Sequence, residues 1–382
     1  MDLSLNPEQT ALRDSLRHFL RDCYPLEART RASRDGAGWR PEIWQRLGQE
    51  LGILGAAFPE ELGGSGGGAV EHMVIQEELG AVLALEPYLE SVVIGGGLLR
   101  QAGGPAARAV LQTLLSGAAA VAVGLHEAAG RYALGHVATT ARREGGGWRL
   151  DGAKVAVAAA PWSRWLIVSA RTAGAATDAH GISLFLVERD RPGVSLCEFH
   201  TLDGRRAADV VLDGVTLPAG ALLGEAGGAL APIEQVADAA IAALGAEAVG
   251  LMDPMLRQTV EYTGQRQQFG QRLSSFQALQ HRMADMLMQL ELARSAVYGV
   301  TLALDAPAEE RALAASAAKV TVDRALRFVG QNAVQLHGGM GMSDEVPVTL
   351  YFRRATVIAN LFGSTDHHLG RFARLSRHSR SD

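Results

Sequence analysis

Cysteine is almost absent from this 382-residue chain, which holds only Cys23 and Cys197. Two cysteines exclude a disulfide framework and a Cys-based zinc site, and their scarcity fits a reducing, cytoplasmic compartment. An excess of one charge sign is also missing. The net charge is −5 with 20% charged residues, which gives no electrostatic ground for binding nucleic acid or an anionic membrane. Any phosphate-bearing ligand must therefore be held by local groups. Transmembrane runs are lacking too: the most apolar stretch, residues 239–252, is short and carries Glu247. The opening MDLSLNP shows neither a basic nor an apolar leader region, so export is not expected.

The 48% hydrophobic content is that of a globular protein. Its length exceeds one ordinary core, and two or three domains are expected. Residues 6–21 offer Asn6 as N-cap, Pro7 at the first helical position, and Leu12, Leu16, Phe19 and Leu20 at helical spacing. Similar periodicity predicts helices over 43–54, 71–80, 85–99 and 106–116. Near residue 118 the period changes. Short segments at 119–125, 137–143, 148–150, 154–158, 164–170, 182–188 and 208–212 predict strands, with Asp151-Gly152 as a hairpin turn, and their spacing suits a compact β-barrel or sandwich. Helices resume over 233–257, apolar nearly all round and kinked by Pro254, then over 276–304, 308–330 and 358–375. The expected domains are 1–117 helical, 118–228 β, and 229–382 a helical bundle.

Residues 261–286, EYTGQRQQFGQRLSSFQALQHRMADM, read as a helix, a glycine-containing break and a second helix. Tyr262, Phe269, Leu273, Phe276, Leu279 and Met283 mark the apolar face. Arg266 is the best candidate here to hold an anion, because a guanidinium fork matches two phosphate oxygens at once. The glycine run 63–68 lacks both the post-strand setting of a Gly-x-Gly-x-x-Gly loop and a Gly-Lys-Ser/Thr ending, so it reads as a chain reversal. No metal is expected: His367 and His368 are adjacent, point about 100° apart on a helix, and have no carboxylate at ligand spacing.

Four segments, FPEELGGSG (58–66), YTGQRQQFGQRL (262–273), FQALQHRMADM (276–286) and QLHGGMG (335–341), together resemble the acyl-CoA dehydrogenase family over essentially the full length. The resemblance implies an α, β-barrel, α fold: an N-terminal helical domain, a central β-domain and a C-terminal four-helix bundle. It also implies FAD at a subunit interface, where one chain's β-domain cups the isoalloxazine ring and the partner's C-terminal domain grips the pyrophosphate and adenosine. By this match Arg266, Phe269, Gln277, Gln335, Gly338 and Gly339 fall on the partner-side contacts. The implied reaction is α,β-dehydrogenation of an acyl-CoA thioester. A carboxylate removes the α-proton, the β-hydrogen leaves as hydride to the flavin, and an electron-transferring flavoprotein is the expected acceptor.

Several positions depart from the family pattern. The flavin-cupping Thr-Glu-Pro-x-x-Gly-Ser-Asp run is HEAAGRYA at 126–133, keeping only Glu127 and Gly130, and the Trp-Ile-Thr segment is Ala156-Val157-Ala158. Phe362 stands at the usual base position, Ala240 at the alternative one, and Ile241 where some members place a basic CoA contact. Glu247, seven residues after Ala240, returns to almost the same helix face and is the remaining candidate base; the competing reading is a carboxylate satisfied by a neighbouring arginine or backbone group in the bundle. Intact partner-side residues beside a degraded ring site resemble one subunit of the heteromeric α2β2 members, which act on bulky or dicarboxylic acyl-CoAs, steroid side chains among them. A self-sufficient homotetramer using Glu247 and a catalytically silent scaffold are the alternatives.

Overall fold

The computed structural model describes residues 4–34, 37–343 and 346–378. Asn6 caps the first helix, α1 (Pro7–Cys23), through a capping box: its side chain accepts from the Gln9 amide while the Gln9 side chain accepts from the Asn6 amide. Next come α2 (Leu26–Arg34), α3 (Pro41–Gln49) and α4 (Ala69–Ala81). The helix expected over 85–99 differs. The chain is π-helical over Tyr88–Gly96, then continues as α5 (Gly97–Ala102) and α6 (Gly104–Leu115).

The central strands are β1 (Val121–Gly124), β2 (Thr140–Glu144), β3 (Gly147–Ala158), β4 (Trp165–Arg171), β5 (Ile182–Glu188), β6 (Val194–His200), β7 (Arg206–Leu217) and β8 (Leu222–Leu223). They form one mixed sheet in the order β6-β7-β3-β2-β4-β5-β8, with β1 parallel to β4. Its core gathers Trp148, Leu150, Leu166, Val168, Phe185 and Val210 with their neighbours. The hairpin turn expected at Asp151-Gly152 lies instead at Gly145-Gly146, whose φ values of 57° and 80° suit a two-residue type I′ turn. Asp151 stays within β3, where its carboxylate accepts from Arg149 Nε and the Gly214 amide. β6 was not legible as a strand because five of its seven residues are exposed and the alternation set by Val194 and Leu196 stops after four residues.

Pro254 does not interrupt α7 (Leu230–Gln265), a continuous 36-residue helix. By length and composition α7 resembles a membrane span, yet 83% of its apolar window is buried in the protein, as in a core helix. A hairpin of β9 (Gln267–Gln268) and β10 (Gln271–Arg272) leads to α8 (Gln277–Leu302), α9 (Ala308–His337), α10 (Pro347–Ile358) and α11 (Thr365–His378). The helix expected over 358–375 begins only at Thr365: α10, which was not expected, ends at Ile358, and residues 359–364 between them hold Phe362 and Gly363 at φ of 57° and 119°. Two compact units result: Met1–Gly36, Ala69–Leu85 and Ile241–Asp382 form one, and Ala37–Gly68 with Glu86–Ala240 forms the other.

Candidate functional site

The break after α7 is a built turn. The Arg266 amide donates to Tyr262 O, and the Leu273 amide donates to Arg266 O, closing the hairpin from Gln267↔Arg272 to its tip. Phe269 and Gly270, at φ 56° and 79°, form a type I′ turn in which asparagine or glycine is the usual first residue. A phenylalanine held there costs about 1–3 kcal/mol. Its ring is 88% exposed, touching Phe276 edge-on with centroids 6.3 Å apart. Within the described chain, burial does not offset that strain.

Tyr262 stacks on His337 with ring centroids 4.5 Å apart, joining the end of α7 to the end of α9. His337 Nδ1 bonds Ala333 O, and burial lowers its pKa, so the ring is neutral. This stack brings two groups of expected residues to one end of their unit. Arg266, Phe269 and Gln277 lie on the hairpin and the start of α8; Gln335, Gly338 and Gly339 lie on the last turn of α9 and the turn after it. All six are solvent-exposed. A guanidinium, an aromatic ring, two amides and bare glycine backbone on one face suit a diphosphate joined to aromatic groups.

The expected base positions are different in character. Phe362, which the resemblance sets at the usual base position, packs on a cluster with Ile241, Ala242, Val300, Ala315 and Ala318. Its loop is fixed. His368 Nε2 donates to Phe362 O at 2.9 Å, and Nδ1 lies 3.4 Å from Ser316 Oγ. Burial pushes His368 down to about 4, leaving the imidazole neutral. Only glycine fits at 363, since a Cβ there would lie 2.6 Å from His367 and 2.7 Å from His368.

Glu247 accepts from Arg354 at both oxygens, Oε1 from Nε at 2.7 Å and Oε2 from Nη2 at 2.8 Å, with both side chains 3% exposed. Each oxygen is held by a charge-assisted hydrogen bond, so taking a proton would break one of the two. This is the arginine-satisfied arrangement weighed against a base. Arg354, 107 residues away, was not identifiable as the partner from sequence spacing.

In the β-domain unit, Glu127 is likewise engaged. It accepts from the Ala138 and Thr139 amides, Thr139 Oγ1 and Lys154 Nζ, the last at 2.6 Å. Burial opposes its ionisation, but the Lys154 charge and these hydrogen bonds hold it below the usual carboxylate range. Lys154 is fully buried, and burial pushes it down to about 8 against the pull of Glu127. Ala156, at φ 51°, sits in a bulge of β3 with its amide donating to Asp209 Oδ1. Ala156, Val157 and Ala158 offer neither an indole nor a hydroxyl.

Residues 6–118, 122–215 and 233–376 match the N-terminal, middle and C-terminal domains described for acyl-CoA dehydrogenases. A probable acyl-CoA dehydrogenase, YngJ of Bacillus subtilis, is 30% identical over 366 residues, covering 94% of this chain and 95% of that protein. The chain belongs to the acyl-CoA dehydrogenase family. Butyryl-CoA dehydrogenase from Megasphaera elsdenii superposes with a TM-score of 0.90 at 27% identity, over 98% of this chain and 99% of that one. A chain of the ChsE4-ChsE5 complex from Mycobacterium tuberculosis gives 0.87 at 26% identity, with complete coverage of both. Membership makes this chain an oxidoreductase of the acyl-CoA dehydrogenase type with FAD as cofactor. Its residues fit that cofactor unevenly. The exposed hairpin and the glycine turn suit the diphosphate end, whereas the β-domain segments lack the family's side-chain anchors for the ring.

Proposed function

We propose that this chain is the flavin-sharing subunit of a heterotetrameric acyl-CoA dehydrogenase. The observation that carries the reading is the exposed, strained Phe269 beside Arg266, set against an apolar Phe362 where a base would stand. Arg266, Gln277, Gln335 and the Gly338-Gly339 backbone hold the diphosphate end of an FAD whose ring lies against a second acyl-CoA dehydrogenase chain. Bound FAD supplies a hydride acceptor for the acyl-CoA. Glu247 is a structural carboxylate here, and the partner chain supplies the base. Domain limits of 1–117, 118–228 and 229–382 accompany this reading.

The acyl group is bulky or dicarboxylic. LHEAAGRYAL (125–134) and LHGGMGMSDEVPV (336–348, of which 344 and 345 lie outside the described residues) look like the small subunit of pimeloyl-CoA dehydrogenase. An electron-transferring flavoprotein receives the electrons.

The test counts FAD per chain. Expressed alone, the chain purifies largely colourless; co-purified with a second acyl-CoA dehydrogenase chain it carries one FAD per two chains, and Arg266→Ala lowers that content. Full flavin loading of the isolated chain, with turnover of an acyl-CoA, would instead establish the self-sufficient homotetramer. Unchanged flavin content in the Arg266→Ala complex would favour the silent scaffold.

A further inference from the structure

The cofactor-facing residues stand at helix ends within one compact unit. Arg266 and Phe269 follow the last turn of α7, Gln277 opens α8, and Gln335 lies in the last turn of α9 ahead of Gly338 and Gly339. A diphosphate bound across these ends needs them at a fixed spacing, because a donor displaced by about 1 Å leaves hydrogen-bond range.

Side chains tie the ends together. Tyr262 stacks on His337, linking α7 to α9, with centroids 4.5 Å apart and planes inclined by 24°. Thr263 Oγ1 lies 3.4 Å from Met283 Sδ, linking α7 to α8, and Arg282 Nη1 donates to Asn332 Oδ1 at 3.4 Å, linking α8 to α9. Of these ties the stack stands nearest the ligand groups. Tyr262 O accepts from the Arg266 amide, so the phenol ring is one turn below the guanidinium. His337 directly precedes Gly338.

Each ring is also fixed from its own side. The residue after Tyr262, Thr263, is fully buried and donates to Thr259 O. His337 is buried and its Nδ1 donates to Ala333 O. The glycine turn packs directly on it: a Cβ on Gly341 would lie 3.1 Å from His337 Cβ and 2.6 Å from Val334 O. Thr349 Oγ1 holds the other side of that turn, 2.8 Å from Gly341 O and 2.7 Å from Ser343 O. A shift of the turn therefore moves the imidazole, and a shift of the hairpin moves the phenol ring. Two stacked planes resist both, since aromatic pairs prefer a defined mutual orientation that aliphatic contacts lack.

We propose that Tyr262 and His337 are positioning residues for the cofactor: their stack sets the Arg266 hairpin and the Gly338-Gly339 backbone at the spacing that one diphosphate needs. This rests on the shared-flavin reading and adds to it two residues that act through Arg266 and the glycine backbone.

The test strips FAD from the assembly in which the chain is isolated and titrates FAD back, following the quenching of flavin fluorescence. Tyr262→Leu keeps the bulk and loses the planar face, and it weakens FAD binding about three- to tenfold, the range of one aromatic stack. His337→Leu does the same from the other helix, which keeps the test open should one Leu variant fail to assemble. Tyr262→Phe and His337→Phe retain two stacked rings and stay within about twofold of the parent. Because Tyr262 acts through Arg266, Tyr262→Leu adds less than about twofold on top of Arg266→Ala. A residue that merely supports the fold lowers the melting temperature of the FAD-free assembly, and its effect on FAD is as large beside Arg266→Ala as in the parent; that result overturns the proposal. Equal losses for the Leu and Phe variants overturn it too. If both Leu variants bind FAD like the parent while Arg266→Ala weakens it, the stack has no positioning role and the shared flavin stands. If Arg266→Ala itself changes nothing, the shared-flavin reading falls and the role of the stack falls with it.

Discussion

A carboxylate gripped at both oxygens by a buried guanidinium and an aromatic side chain held at positive φ in solvent make opposite statements about their surroundings. Glu247 is satisfied inside its own chain. Removing it leaves Arg354 charged and buried, so Glu247→Ala is expected to lower stability by about 3–5 kcal/mol in urea unfolding. Glu247→Gln, in the assembled enzyme, keeps turnover per bound flavin within about threefold; a general base would lose about 10²–10⁴-fold. Phe269 points the other way. Phe269→Asn relieves a strained turn, so the melting temperature of the isolated chain should hold or rise while flavin retention in the complex falls. Loss of retention with Phe269→Asn and none with Gln277→Ala would identify the ring as the dominant contact. The sequence motif made Phe269 a candidate, but its strain was not legible, because φ is set by the hairpin register and not by residue type alone. Arg354 was equally hidden: a pairing across 107 residues leaves no local period.

At the level of elements, capping and periodicity located α1 and much of the bundle, since both signals are local. They failed where tertiary context decides. Asp151-Gly152 has the composition of a turn, yet Asp151 is bound by Arg149 and the Gly214 amide and remains in β3. The boundary between α10 and α11 was hidden because Phe362 looks like a helical core residue until its φ is known.

α11 is anchored on α9 by a buried network with a testable pH signature. His368 is neutral and pushed down to about 4 by burial, so between about 6.5 and 4 the unfolded chain takes up a proton that the folded chain refuses. Its contribution therefore destabilises the fold as pH falls through that window. Asp323 acts in reverse. Burial pushes it up to about 6 although Lys319 Nζ lies 2.7 Å from both its oxygens, so the folded chain binds its proton first and gains stability as pH falls from about 6 to 3.8. The two effects oppose each other in the parent protein. Melting temperatures between pH 6 and 4 should separate them: Asp323→Asn steepens the loss on acidification, and His368→Gln reverses or flattens it, each relative to the parent. Parallel profiles for all three proteins would remove both assignments.

For the whole molecule, the α, β, α order and the family were legible because four motifs keep their order and spacing along the chain. Which surfaces meet another chain was not legible, since a helix with two apolar faces looks the same in sequence as one buried in a core. α8 shows this most clearly. Met286, Leu290, Ala293 and Val297 form its buried stripe, while Met288 and Leu292, 56% and 55% exposed, lie on the opposite side between Ala284 and Ser295. These two residues, one turn apart among His281, Asp285, Glu291 and Ser295, make a small exposed apolar spot on which another chain can pack. In the flavin-sharing reading that partner is another dehydrogenase chain, and each apolar side chain buried there contributes about 1.5–3 kcal/mol. Replacing both, Met288→Glu/Leu292→Glu, should therefore weaken association by more than about 10²-fold. Light scattering would show a smaller assembly, with helical content unchanged because neither side chain supports the chain's own core. Flavin should be lost together with assembly, since in that reading the diphosphate contacts and the ring contacts lie on different chains. An assembly that shrinks yet keeps its full FAD would mean that the cofactor is held within one chain, and the shared site would have to be abandoned.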